Sequence, residues 1–125
     1  MKKIVSNNNL PVVKQYEIWM GELPSPKGEH VQSGYRPLLI ISNDTANEHS
    51  PVITIVPLTS RLNKHHLPTH VFLHEQGLHK DSIALCEQII TLDKCHLIRR
   101  IGYVYKSFDR IAIRHALAVQ LNMAA

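Results

Sequence analysis

A mainly β fold, built as a small, strongly curved antiparallel sheet or partly open barrel capped by a carboxy-terminal α-helix, is predicted by three observations. Short β-branched-rich runs bounded by Pro, Gly, Asn, Asp and Ser recur between residues 15 and 106. The one clear apolar stripe of helical period comes last, over Asp109–Met123. Strands do not alternate with helices, which argues against a parallel sheet wound by crossover helices. The 125 residues make one domain, and 44% hydrophobic against 19% charged residues supply the apolar material for a core.

Residues 1–14, with Asn7-Asn8-Asn9 and no periodicity, read as a flexible amino-terminal arm, and the domain occupies residues 15–125. Gln15–Leu23, with Tyr16, Ile18 and Trp19, reads as the first strand. Pro24-Ser25-Pro26-Lys27-Gly28 ends it and opens a loop lasting to Gly34, a length that functional loops often have. Pro37–Ile41 and Val52–Leu58 are the next strands. In Thr69–His74 alternation puts Thr69, Val71 and Leu73 on one face. Ser82–Cys86 with Ile89-Ile90, and Ile101–Lys106 with Tyr103 and Tyr105 on a shared face, complete the strands. Asp93–Arg100 predicts one or two helical turns ending at Gly102. In the final helix Asp109 suits an N-cap, Phe108 and Ile113 have staple spacing, and Ile113, Ala116, Leu117 and Leu121 form the stripe.

Several function classes are excluded. No run approaches the roughly 18 apolar residues of a membrane span, and the polar Ser6–Asn9 stretch stands where a signal peptide would be apolar. Cys86 and Cys95 are too few for a disulfide framework, so a reducing, cytoplasmic setting is expected. The net charge of +4 is mild and compatible with a polyanionic partner without requiring one. Among nine histidines, His66, His70 and His74 have helical ligand spacing. Pro68 would break such a helix, and on a strand only His70 and His74 share a face, so they are expected to be exposed strand residues and no metal is expected. Phosphate-loop, dinucleotide and hydrolase-elbow motifs are absent.

What remains is a set of polar residues next to the apolar strands: Arg36 before Pro37, Ser42-Asn43-Asp44, Thr59-Ser60-Arg61 with Lys64, and Glu87-Gln88. Each alone reads as a turn former or a solvated charge. Together they fall into a recognisable order. Glu17–Met20 with the following Pro and Gly loop, Gly34–Asp44, Val52–Ser60, Leu67–Val71, and Asp81-Ser82 followed by Cys86–Ile89 and Thr91–Lys94 resemble the MazF/PemK family of toxin endoribonucleases, the mRNA interferases of type II toxin–antitoxin systems.

That resemblance implies an SH3-like barrel of the CcdB/PemK type with a carboxy-terminal helix, assembled as a symmetric homodimer. It implies sequence-specific cleavage of single-stranded RNA or mRNA, without metal or other cofactor, to 2′,3′-cyclic phosphate and 5′-hydroxyl ends. The consequence would be inhibited translation and growth. It also implies a cognate antitoxin, acidic toward its disordered end, that competes for the same groove. Carried over residue by residue, Arg36 is the catalytic arginine, clamping the phosphate and donating to the leaving oxygen, and Thr59 is the catalytic hydroxyl. Ser60 is its lesser neighbour, Asn43 and Gln88 match RNA-contacting positions, and Lys64 suits a phosphate contact. Some relatives carry an acid just before the arginine motif, where Val31 and Gln32 stand here, so Glu29 or His30 is the candidate general base. Two other readings share the fold. A CcdB-like gyrase-binding toxin would rely on the end of the terminal helix, which here is Leu121-Asn122-Met123-Ala124-Ala125 without an aromatic residue. A catalytically silent SH3-like binding module would have lost Arg36 or Thr59, and both are present.

Overall fold

The computed structural model describes residues 10–24, 30–63, 66–74 and 76–123. In chain order the elements are β1 (Glu17–Leu23), β2 (Gly34–Ile40), α1 (Asp44–His49), β3 (Val52–Thr59), β4 (His70–Leu73), β5 (Ser82–Leu85), β6 (Ile90–Asp93), a 3-10 turn (Lys94–His96), β7 (Leu97–Tyr103) and α2 (Ser107–Leu121). The seven strands form one antiparallel sheet in the order β4-β5-β3-β2-β1-β7, with β6 beside β3.

Strand β3 organises the curvature. Its Val52–Ile55 half pairs with β6, while Leu58 and Thr59 pair with β5 on the same edge. Ile55 bonds across both edges, to Ile40 of β2 and Ile90 of β6. One strand therefore hands over between partners, which bends the sheet on itself. The result is barrel-like without a fully hydrogen-bonded seam: the Tyr103 amide donates to the Gln76 carbonyl at 3.3 Å where β7 meets the turn after β4.

Both faces of the central strands are covered, which is why β2 and β3 read as continuous apolar runs rather than as alternating ones. Ile18, Leu39, Val56, Leu58, Val71, Leu73, Ala84 and Val104 fill the barrel, with Ile113 and Ala116 of α2 closing one end. Trp19, Leu38, Ile40, Ile53, Ile55, Leu92 and Leu97 form a second core on the other face, joined by Val13 at 3% exposure. The ordered domain thus includes Val13, inside the stretch expected to be an arm. Residues 1–9 lie outside the described residues.

Local expectations met several corrections. The helical turns expected over Asp93–Arg100 are instead the end of β6, a 3-10 turn and most of β7, because backbone pairing with β3 and β1 outweighs the helix propensity of Leu, Lys and Arg. Residues 44–49 form the short helix α1, capped by the Asn43 side chain accepting from the Ala46 amide at 2.8 Å. Helix α2 begins at Ser107, so Phe108 lies inside it rather than ahead of it and is 80% exposed, which rules out the staple with Ile113. Asp109 is not the N-cap; its carboxylate accepts from Gln76 Nε2 at 3.2 Å. Leu121 of the expected stripe is exposed, whereas Ile113 and Ala116 are buried. Among the described residues no helix is long and apolar enough to cross a membrane.

Candidate active site

The Leu38↔Pro57, Leu39↔Val56 and Ile40↔Ile55 register, continued two residues toward the start of β2, sets Arg36 across from Thr59. Both residues line one open cleft of about 610 Å3, together with Ser60, Arg61, His79, Lys80 and Ser82 and an apolar floor that includes Met20, Leu58 and Ile101. Among the described residues three cations and no carboxylate border this cleft. A larger cleft of about 930 Å3 sits over β7, but there Glu17 and Asp44 offset Lys14 and Arg100. The first cleft is therefore the one suited to an anion.

Arg36 is anchored rather than loose. Its Nε donates to the Ser33 carbonyl at 2.8 Å, leaving the two terminal nitrogens as the edge available to a ligand. Burial, and secondarily the positive charge of Arg61, lower its pKa from the ordinary arginine value. Both effects disfavour the bare cation, so an anion arriving in the cleft gains from relieving them. Thr59 is 5% exposed, and its Oγ1 accepts the Arg61 amide at 3.2 Å. Used as an acceptor in that bond, the hydroxyl keeps its own proton to donate. Ser60 is exposed at the rim.

Other expected site residues are placed elsewhere. Gln88 ties down the loop before β2, its Oε1 accepting from the Gln32 amide at 2.9 Å and its Nε2 donating to the His30 carbonyl at 3.2 Å. His30 is exposed on that loop and is not among the cleft residues. Asn43 caps α1 beyond the far end of β2, so a strand's length of roughly 3.3 Å per residue separates it from Arg36. Glu29 and Lys64 lie outside the described residues.

Two cleft residues, His79 and Lys80, escape sequence reasoning. They sit in the connection between β4 and β5, and no spacing links them to Arg36 or Thr59; the only local signal is the neighbouring Asp81-Ser82 pair. The histidines expected to be exposed on β4 divide. His70 has a side chain only 6% exposed, with Nε2 3.1 Å from Glu87 Oε2 and Nδ1 accepting the Leu67 amide at 3.3 Å. Glu87 in turn accepts from Thr69 Oγ1 at 2.9 Å. His74 is exposed and pairs with Asp81.

The pattern of the PemK-like, MazF-like toxins of type II toxin–antitoxin systems matches residues 14–121. The chain is 34% identical over 114 residues to the endoribonuclease MazF of Staphylococcus epidermidis, across 90% of this chain and 93% of that protein. In fold it is similar to MazF of Deinococcus radiodurans, with a TM-score of 0.75 at 22% identity over 90% of this chain and 99% of that one. It is likewise similar to a mycobacterial endoribonuclease solved in complex with its cognate antitoxin, with a TM-score of 0.74 at 24% identity over 90% and 98% of the two chains. A match that runs through β1 to α2, and so through every element that lines the cationic cleft, assigns the whole fold and not a fragment of it: the chain belongs to the PemK-like, MazF-like toxin family of type II toxin–antitoxin systems.

Proposed function

We propose that this protein is an endoribonuclease toxin that cuts single-stranded RNA or mRNA in the Arg36–Thr59 cleft, acting in the cytoplasm as a homodimer and held in check by a cognate antitoxin. The observation that carries this reading is the cleft itself: among the described residues Arg36, Arg61 and Lys80 line it with the hydroxyls of Thr59, Ser60 and Ser82 and with His79, and no carboxylate stands among them to repel a phosphate. The 34%-identical relative named an endoribonuclease supports the same reading.

The reaction is attack by a ribose 2′-hydroxyl on the adjacent phosphorus, breaking the bond to the 5′-oxygen and leaving 2′,3′-cyclic phosphate and 5′-hydroxyl ends. Negative charge grows on the phosphoryl oxygens during that attack. Arg36, which lines the cleft and keeps its terminal nitrogens out of the bond to Ser33, grips two of those oxygens and donates toward the leaving oxygen. Thr59 Oγ1 donates to a third position, Ser60 assists from the rim, and Arg61, Lys80 and Lys64 hold the flanking backbone. Asn43 and Gln88 belong to the RNA-contacting surface outside the scissile phosphate. An acidic antitoxin segment satisfies the same cations, so toxin and antitoxin functions compete for one surface.

Removing either Arg36 or Thr59 removes a charge-stabilising donor. Arg36→Ala and Thr59→Ala are each expected to slow cleavage of a mixed-sequence single-stranded RNA at least ~100-fold while circular dichroism stays unchanged. In the presence of EDTA the wild-type rate should persist, and a single 2′-deoxy nucleotide at the cut site should block cleavage there. Cleavage that survives both substitutions, or that ignores the 2′-deoxy replacement, would overturn the assignment.

A further inference from the structure

Outside the cleft, the described residues hold one group of three side chains whose metal-ligating atoms lie within 4.8 Å of one another: Asp93, Cys95 and His96, all exposed. They come together because β6 ends at Asp93 and the 3-10 turn Lys94–His96 coils directly after it, turning both neighbours to the same side. Lys94 does not share their surface, since it is buried at 5% exposure while they face solvent. A second element contributes. The β1–β7 register pairs Gly21 with Leu97, and continued by one residue it sets Glu22 across from His96. Glu22, Asp93 and His96 line a small cleft of about 230 Å3 that shares no residue with the Arg36–Thr59 cleft.

We propose that Asp93, Cys95 and His96, with Glu22 from the adjacent strand, bind a borderline divalent cation of the zinc type at the corner where β1, β6 and β7 meet. A thiolate, an imidazole and carboxylates together make the mixed set that such ions prefer over magnesium or calcium, which take oxygen ligands. In a tetrahedral site with metal–ligand bonds of about 2.0–2.3 Å, neighbouring donors stand roughly 3.4–3.8 Å apart. The ligand atoms of Asp93, Cys95 and His96, all within 4.8 Å of one another at an exposed turn, already stand near that spacing. Binding displaces the Cys95 thiol proton to solvent and forms the metal–sulfur bond. The other cysteine does not compete: Cys86 is buried, and burial, then the charge of Glu87, push its thiol up to about 12.

Nine histidines make non-specific metal uptake the rival explanation, so the test must report on sulfur. Titrating Co2+ into the full-length protein should produce the near-ultraviolet thiolate-to-cobalt charge-transfer band, which stoichiometric Zn2+ then removes. Cys95→Ser should abolish the band. His96→Ala, Asp93→Asn and Glu22→Gln should each weaken binding by at least about tenfold, the scale of disturbing a metal's ligand environment. Zn2+, unlike Mg2+, should also protect Cys95 from alkylation as read by peptide mass spectrometry. The proposal is overturned if the band is absent, if Co2+ and Zn2+ bind wild type and Cys95→Ser equally, or if alkylation of Cys95 ignores Zn2+. None of these readouts uses RNA cleavage, so their failure would leave the ribonuclease assignment untouched.

Discussion

A guanidinium cannot take the proton from a 2′-hydroxyl, so the proposed cleavage needs an acceptor beside Arg36. Glu29 and His30 are the residues that sequence reasoning offers, because they precede the arginine motif. Of these two, Glu29 lies outside the described residues and His30 is not among the cleft residues, whereas His79, more than forty residues after Arg36, lines the cleft. Histidine is the side chain that most readily exchanges a proton near neutral pH. His79→Ala is therefore expected to slow cleavage about 100-fold or more, the usual scale of a lost general base, while His30→Ala leaves the rate near wild type. Single-turnover rates on one RNA measure both, and the reverse ranking would return the role to the loop. Arg36 and Thr59 stood out in the sequence as polar residues abutting apolar strands and took their expected roles from the family resemblance, and the fold brings the two to one cleft. His79 and Lys80 were not, since only the closure of the sheet carries their loop to the cleft.

Among the elements, the loop ahead of β2 depends on a residue more than fifty positions further along the chain. Gln88 holds this loop with two hydrogen bonds, one to the Gln32 amide and one to the His30 carbonyl, and the Gln32–Ser33 segment then presents the carbonyl that orients Arg36. The turn bearing Gln88 is itself fastened through Glu87 to Thr69 and His70. Gln88 thus has a positioning role even where it also meets RNA. Replacing it by Ala leaves the Gln32 amide without its acceptor, so hydrogen exchange at Gln32 should accelerate while the β2–β3 amides keep their protection. Unchanged exchange at Gln32 would show that the loop is held by other means. At this scale β1 to β5 were readable from apolar runs and their breakers. The Asp93–Arg100 segment was misread because its Leu, Lys and Arg residues suit a helix locally, and only pairing with β1 and β3 decides otherwise. Helix α1 is only six residues long with no apolar stripe, and only the Asn43 cap marks it.

For the whole molecule, the question is what holds a curved seven-stranded sheet shut when no complete ladder closes it. The answer lies in two glycines that face each other across the seam. A Cβ on Gly77 would come within 2.2 Å of the Ile101 carbonyl oxygen, and one on Gly102 within 2.0 Å of the Gln76 carbonyl oxygen. Backbone therefore packs directly on backbone where the turn after β4 meets β7, a contact any larger residue would prise apart. Gly77 also has φ of +90°, which adds conformational strain to any replacement, whereas Gly102 carries no such feature. Gly34 supplies the comparison: its φ is +80°, but a Cβ there would meet nothing within 4 Å. Gly34→Ala should accordingly cost only the left-handed penalty of about 1–2 kcal/mol. Gly102→Ala should cost about 1–3 kcal/mol through overpacking alone, and Gly77→Ala should exceed both because the two terms add. Urea unfolding midpoints at constant slope measure the three. If Gly102→Ala proves neutral, the seam is not the closure, and the barrel is held by the α2 cap and the two apolar cores alone.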